Sequence, residues 1–500
     1  MLSQIAFTVN GQPVKVPDDG CSLLEALRDR VGIRSVKDGC SPQGQCGCCT
    51  VLVDGQPRVA CVTPAARIAG RSITTVEGLA DADAWATRFC AAGASQCGFC
   101  TPGIIVRLSA RPANPGQALL AHLCRCTGWQ TIMEAAASVT DGTGDIGPLA
   151  DRRASIEGRS PQMVSPSVAL GRGGFADDTA PEGALVAARS DEGTWFVGET
   201  LTAARAAAGK VQGRRTTVAL NWPIDPIPGV WHRQLQTTWV EPGYLEPDAA
   251  WCLPGGEPVA VLANGGAFGG KLASDVTAVA RRLADEHSQA VRVAYSREDV
   301  VRLGPKRPPL AAAIRTDGTG VVHVRRTDEI AAAINSVAPG FDVIEIDVPG
   351  PPTSVAVRAA GWAEAAVLLS SLRDGPDVIT SPDGSVATAW LDDEGTIHVR
   401  VRCGQVLSAT VLRSYCIGAA HQALGWVRSE GIYVDAESGD VHDLTIRSFG
   451  ILRAIDMPRV EVAIEDDDTE PVNGSDAVFA AVAAAAWRQA GFPSRWPYAR

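Results

Sequence analysis

Apolar and polar residues alternate over residues 5–16 (IAFTVNGQPVKV) around Asn10-Gly11, which predicts two strands joined by a tight turn. Residues 22–32 (SLLEALRDRVG) then carry helical spacing, and residues 50–62 (TVLVDGQPRVACV) repeat the strand pattern around Asp54-Gly55. Hairpin, helix and hairpin together predict a small mixed sheet ending near Val76. From Asp81 the chain turns Ala- and Leu-rich with helical spacing (ADAWATRFCAAG, GIIVRLSA, ALLAHL, TIMEAAASV), so 81–140 reads as a compact helical unit. Residues 141–168 are rich in Gly, Ser, Pro and Arg without a period, as an exposed linker would be. Beyond them strand-like runs (VRVAYS, VVHVRRT, TIHVRVR) mix with Ala-rich helices (DVTAVARRLAD, DAVFAAVAAAAWRQA), which predicts a larger α+β region.

The chain has 500 residues, 46% hydrophobic and 20% charged, more than a single core needs and too apolar for general disorder. Its long apolar runs, such as 477–487, fall short of a membrane span, and the start MLSQIAFTVNG has no basic leader before an apolar stretch. A cytoplasmic protein without a membrane span is expected. Residues 1–140 hold 12 Lys+Arg against 10 Asp+Glu (net +2), and the remainder holds 33 against 46 (net −13). That acidic bulk argues against a nucleic-acid partner.

Cysteine usage changes the picture most. Of 14 cysteines, 11 fall in the first 126 residues (Cys21, Cys40, Cys46, Cys48, Cys49, Cys61, Cys90, Cys97, Cys100, Cys124, Cys126). In a reducing compartment such crowding points to metal ligation rather than disulfides. One set is Cys40, Cys46 and Cys49 in a Gly-rich loop, with Cys61 after it. Three thiolates in one loop and a distant fourth suit a [2Fe–2S] cluster, whose two irons take four soft ligands, and the glycines let backbone N–H groups turn toward sulfur. The first gap is one residue longer than in the plant-type C-x4-C-x2-C…C pattern. Cys48 is a fifth thiol in the loop. Cys49, which precedes Thr50-Val51, is assigned as the ligand and Cys48 as a buried spectator.

The second set, Cys97 and Cys100 in QCGFCTPG with Cys124 and Cys126 in CRCTG, places two close pairs on separate helices, again enough for one two-iron cluster. Alone it would also suit structural zinc; two such sets together favour iron.

The paired motifs GCSPQGQCGCCTV…C and QCGFCTPG…CRCTG resemble the iron–sulfur subunit of the molybdenum hydroxylase family, which includes xanthine dehydrogenase, aldehyde oxidase and aerobic carbon monoxide dehydrogenase. The resemblance covers residues 1–140. It implies an α+β multidomain chain with a plant-ferredoxin-like β-grasp domain at 1–78 and a four-helix-bundle domain at 79–140, each holding one [2Fe–2S] cluster. It also implies that Gln96 contacts a molybdopterin cofactor, in the cytosine dinucleotide form. The spacing from Cys100 to Cys124 is shorter than the family pattern.

Residues 169–500 resemble a shortened, degenerate version of the family's molybdenum subunit: GYLEPDAAW at 243–251, GGAFGGK at 265–271, SREDV…KRPP at 296–309 and IRSFGILRAIDMPRVEV at 446–462, in the family's order. By the resemblance, Phe268 and Gly269 bring a ring and backbone amides up to the metal's oxo ligands. Residues 265–271 also satisfy GxxxxGK, but Leu272 replaces the Ser or Thr of a P-loop, and a plain Gly-rich turn is the third reading. The region is only about 330 positions long. Where the family has a Glu base in a Gly-x-Gly-Glu turn, residues 473–480 read NGSDAVFA. Asp476 is then either a displaced base or a charge at a helix N-terminus. The seven histidines show no ligand spacing, Cys252, Cys403 and Cys416 are isolated, and no GxGxxG motif supports an FAD site in this chain.

The expected function is the electron-transfer subunit of a molybdenum hydroxylase. It would relay electrons through two [2Fe–2S] clusters from molybdopterin on a complete partner subunit to a FAD subunit or other acceptor. In that arrangement Gln96 and the Cys124/Cys126 loop face the partner. The alternatives are a self-contained compact hydroxylase of N-heterocycles or aldehydes, with Asp476 as its base, and a zinc-stapled interaction protein.

Overall fold

The computed structural model describes residues 3–137, 146–260, 266–271 and 274–500. Residues 138–145, Gly265 and Leu272, which enter the readings above, lie outside them.

Strands β1 (Gln4–Val9) and β2 (Gln12–Pro17) form the first hairpin. Asn10 and Gly11 both take positive φ, 50° and 80°, as a two-residue turn matched to strand twist requires. Ile5, Phe7 and Val9 are buried, so the sequence alternation becomes an inside and an outside. β3 (Thr50–Val53) and β4 (Gln56–Val59) repeat the device at Asp54-Gly55. The piece that joins them is β5 (Ser72–Thr74), parallel to β1 and antiparallel to β3, giving the order β2-β1-β5-β3-β4. Three residues are too few for a periodic signal, and β5 is not visible in the sequence. Between the hairpins a short helical stretch begins at Leu23, with Ser22 Oγ accepting the Glu25 N–H at 3.2 Å.

Four helices follow: α1 (Ala82–Ala92), α2 (Thr101–Ser109), the single turn α3 (Pro115–Ala118) and α4 (Gln130–Ala137). The expected exposed linker differs from what is found, because α5 (Pro148–Gly158) occupies part of it and is packed on one side. Arg153 and Glu157 are fully buried and pair at 3.1 Å, one turn apart. Arg153 also donates to the Val406 and Val472 carbonyls, and Glu157 accepts the Gly474 and Ser475 N–H groups. A buried face that mixes two alanines, Ala150 and Ala154, with a pair of charges that satisfy each other has a weak apolar period, so the sequence concealed it.

The rest is three sheets around a helical centre. The first is β10-β9-β11-β6-β7, from β6 (Leu185–Arg189), β7 (Trp195–Gly198), β9 (Ala249–Cys252), β10 (Val259–Ala260) and β11 (Val291–Ala294). The second is β14-β13-β12-β8-β19, from β8 (Arg233–Thr237), β12 (Leu310–Ile314), β13 (Gly320–Arg325), β14 (Phe341–Ile346) and β19 (Arg495–Trp496). The third is β15-β16-β17-β18, from β15 (Asp377–Thr380), β16 (Val386–Leu391), β17 (Ile397–Arg402) and β18 (Val460–Glu465). Helix α6 (Val276–His287) packs on the first sheet through Val279, Ala280 and Leu283. Helices α7 (Trp362–Ser370), α8 (Ala409–Arg428) and α9 (Ser475–Gln489) fill the centre, where Trp426 of α8 stacks on Phe479 of α9 at 5.1 Å.

The two halves share one interior: the apolar cluster of the first 137 residues also takes in Trp239, Leu245, Val301, Ile432 and Phe449. Helix α8 lies directly on the helical unit. A Cβ at Gly418 would overlap the Cys126 carbonyl, and one at Gly128 would stand 2.6 Å from the Ile417 carbonyl. Among the described residues no helix is long and apolar enough to cross a membrane.

Candidate metal centres

The loop before β3 folds back on itself at Gly44 and Gly47, whose φ values are 68° and 72°. This brings Cys40, Cys46 and Cys49 together with Cys61, and all four are buried. The Cys40 thiol touches those of Cys46 and Cys61, contacts that hold it well below the ordinary thiol range, and Cys61 also touches Cys49. Backbone N–H groups point at sulfur: Gln43 and Gln45 to Cys40 at 3.3 and 3.4 Å, and Cys61 to Cys49 at 3.4 Å. Gly39 has no room for a side chain, since a Cβ there would lie 3.0 Å from Cys46 Sγ and 3.1 Å from Cys48 Sγ. Cys48 touches Cys46, and burial pushes its thiol up.

The second set repeats this. Cys97 and Cys126 stand 3.6 Å apart, and Cys124 touches both Cys126 and Cys100. The Cys100 contact holds Cys124 well below the ordinary thiol range, and Thr127 Oγ1 lies 3.1 Å from its sulfur. Among the described residues no group of three or more His, Cys, Asp or Glu is arranged to hold a single metal ion. A two-iron cluster makes a different demand, two thiolates at each iron. Two sets of four thiols, all buried except the half-buried Cys97, with N–H or hydroxyl groups at sulfur, fit that demand.

The sets are neighbours. The Leu123 N–H, one residue before Cys124, donates to the Cys46 carbonyl at 2.9 Å. His122 covers Gly47, with Nε2 3.0 Å from Thr50 Oγ1, and burial pulls its pKa down to about 3, so the ring is neutral. Histidine spacing makes His122 a surface or packing residue, and packing between the two loops is what it does. Sequence reasoning misses Arg125. It lies buried between two set cysteines and grips Glu430 with both terminal nitrogens, at 2.6 and 2.7 Å. A charge between two cysteines of a buried loop was the available signal, because such a group must find a partner.

Beside the second set the space is filled. Gln96 donates to the Cys126 carbonyl at 3.1 Å and to Ser414 of α8 at 2.8 Å, and its Oε1 has no partner among the described residues. The expectation that Gln96 and the Cys124/Cys126 loop face a separate subunit therefore differs from what is found: α8 of the same chain covers them. Gly266 lies against Cys126. Phe268, at φ 42°, is buried with the Arg358 guanidinium 4.2 Å above its ring, and a Cβ at Gly269 would overlap the Ala356 carbonyl. Asp476 sits in the first turn of α9, buried, paired with Arg358 at 3.0 Å and also with Arg159. Lys271 pairs with Glu246 at 2.9 Å, so it offers no charge to a phosphate, against the P-loop reading. The cavities left here hold about 30 and 10 Å³. Small-molecule sites run from about 300 to 1,000 Å³. Among the described residues the space here does not take a molybdopterin.

Residues 7–72 match the 2Fe-2S iron-sulfur cluster binding domain family and residues 75–137 the [2Fe-2S] binding domain family, so the chain carries two such domains in tandem. It is 41% identical over 145 residues to the xanthine dehydrogenase iron-sulfur-binding subunit of Escherichia coli O157:H7, covering 26% of this chain and 89% of that one. It is 38% identical over 156 residues to the xanthine dehydrogenase of Drosophila subobscura, 26% of this chain but only 12% of that much longer protein. The crystal structure of the aldehyde oxidoreductase from Desulfovibrio desulfuricans ATCC 27774 superposes with a TM-score of 0.67 over 97% of each chain at 15% identity, a likeness of fold.

Proposed function

The chain belongs to the molybdenum hydroxylase family of xanthine dehydrogenase and aldehyde oxidoreductase, and from that premise we propose that it is an electron carrier. Cys40, Cys46, Cys49 and Cys61 hold one [2Fe–2S] cluster, and Cys97, Cys100, Cys124 and Cys126 the other. Bound there, the clusters supply one-electron carriers side by side.

The protein's own residues do the rest. N–H groups at Cys40 and Cys49 and the Thr127 hydroxyl at Cys124 stabilise sulfur charge. The Leu123 to Cys46 hydrogen bond ties the two loops at a fixed distance, and His122 and α8 exclude water around them. The observation that carries this reading is the tandem of buried four-thiol sets joined by that bond.

The molybdopterin centre and the FAD or other acceptor belong, in this reading, to separate subunits. The geometry that supports the separation is the filled space at Phe268 and Asp476, which leaves the compact-hydroxylase alternative without a cavity there among the described residues. Because α8 covers Gln96, electrons would enter or leave on the side of the first set.

Isolation of the native assembly tests this, with metals and subunits quantified. About four irons per chain, two rhombic paramagnetic signals after dithionite, and no molybdenum in the separated chain are expected. Molybdenum retained by this chain alone, with hydroxylation of an aldehyde or heterocycle, would refute it.

A further inference from the structure

Charged side chains hold the first cysteine loop, and most come as opposites. Arg297 donates to the Gly39 carbonyl, and its neighbour Glu298 accepts from the Gln43 amide at 2.9 Å. Arg205 donates to the Ser41 carbonyl at 2.9 Å, and Asp38 accepts the Ser41 N–H at 3.0 Å. Each pair brings one positive and one negative group to adjoining parts of the loop, so their charges offset one another.

Arg447 has no such counterpart. It stands in the turn 446–449, between α8 and β18 and outside both segments matched to iron–sulfur families. From the surface it lies across the loop: Nε donates to the Gln45 carbonyl at 3.0 Å, Nη2 to the Leu120 carbonyl at 2.6 Å, and its backbone N–H to Gln45 Oε1 at 3.4 Å. These acceptors are neutral, and among the described residues Arg447 has no ion pair. Partial burial draws its pKa down, and the groups that favour its charge are Cys46 and Cys40. The neighbouring cation, Arg453, is taken up by Asp456 at 2.6 Å.

The contact is also aimed. The Gln45 carbonyl and the Cys46 N–H belong to one peptide unit, and that N–H bonds to the Cys40 sulfur, as the Gln45 N–H does at 3.4 Å. A cation on the oxygen end of a peptide unit polarises the N–H at its other end and strengthens that bond. Net charge near a two-iron site and hydrogen bonds to its sulfurs both set its reduction potential. Here both favour the more negative, reduced form. The second set differs, because its own cation, Arg125, is neutralised by Glu430 at 2.6 Å.

We infer that Arg447 is a positioning residue for electron transfer: it raises the potential of the first site relative to the second, and so biases an electron shared by the pair toward the first. The inference rests on the electron-carrier reading above and adds to it the direction of flow. In each transfer one electron leaves the second site and one arrives at the first, with no bond made or broken.

The test is a redox titration of the full chain, as isolated with its iron, with the two paramagnetic signals followed separately. The first site's signal is the one that Cys40→Ser removes. Arg447→Gln, which removes the charge, should lower the first site's affinity for its electron about tenfold, or about 59 mV for one electron. The second site's potential and the iron content should stay unchanged. Arg447→Lys should restore most of the difference, since it returns the charge without the fork. A purely structural contact would not respond to salt. This one lies at the surface, so raising the ionic strength from about 0.01 M to about 1 M should narrow the gap between wild type and Arg447→Gln. Equal first-site potentials in the two proteins, an equal shift at both sites, or a gap that salt leaves unchanged overturns the inference and leaves the electron-carrier reading standing. If Arg447→Gln loses the first signal, the wild type decides: its first-site potential should fall with salt relative to the second, and a constant difference overturns the inference. A chain without iron, or without two signals, overturns the electron-carrier reading itself.

Discussion

Two groups of motif residues in this chain had the same kind of sequence signal and met opposite ends. Eight of the cysteines of residues 40–126 converge into two sets of four, buried except for the half-buried Cys97. The residues that resemble a molybdenum subunit in sequence, Phe268, Gly269 and the Asp476 turn, also come near one another, but each is engaged by the protein itself: Arg358 lies on Phe268 and pairs with Asp476. A motif marks chemistry only where its polar groups are left free to act on something else. If that contrast is right, substitutions in the first group should remove cofactor, and those in the second should remove stability.

The largest effect is expected at the centre of a set. Cys124 touches both Cys100 and Cys126, so Cys124→Ser should cut iron from about four to about two per chain and delete one of two paramagnetic signals, with the other intact. Equal loss of both signals would mean that the sets are not independent sites.

On the other side of the comparison, Asp476→Ala should leave iron unchanged and cost about 3 to 5 kcal/mol, because it strands the buried Arg358 guanidinium in the interior without its partner. The unfolding midpoint in denaturant measures it. A variant of unaltered stability would show that the pair is not what closes this space.

A pH effect sharpens the same point. Glu246, buried beside Lys271, has its pKa pushed up to about 7 from 4.5 by burial. The native state then binds more protons than the unfolded chain between those values, so stability is fully present below pH 4.5 and falls as pH rises toward 7, by up to about 3 kcal/mol. Glu246→Gln should flatten that slope, read as the difference in melting temperature between pH 5 and pH 8. Parallel profiles for variant and wild type would contradict it.

How much of this was legible depended on what kept each element in place. The two hairpins were readable because Asn10-Gly11 and Asp54-Gly55 fix their turns locally, and the cysteine sets because ligand chemistry demands residue types that little else does. Strand β5 was not, since its three residues are ordered by the strands on either side of it. Helix α5 was hidden because Arg153 and Glu157 make its buried face polar. The closing of the space at Phe268 was least legible of all. It depends on pairs such as Arg125 with Glu430 and Arg358 with Asp476, 305 and 118 residues apart, which no local pattern announces. Gln96 matches the family motif in sequence, yet what its amide meets, Ser414, is 318 residues away.

The smallest expected effect concerns the residue that separates a ligand from a bystander. Cys48 and Cys49 are adjacent thiols in one loop, and composition cannot choose between them. Geometry distinguishes them. Cys49 leads into β3, touches Cys61 and receives the Cys61 N–H at its sulfur. Cys48 is directed at the neighbouring Cys46, and its own carbonyl packs against Gly103 at the start of α2, between the two sets. Cys48→Ala should therefore keep about four irons and both signals, and cost only about 1 kcal/mol for the small void it leaves. Cys49→Ser should lose the first signal. If the alanine variant instead lost iron and the serine variant kept it, the ligand would be Cys48, and the loop would close on the cluster one residue earlier than its hydrogen bonds indicate.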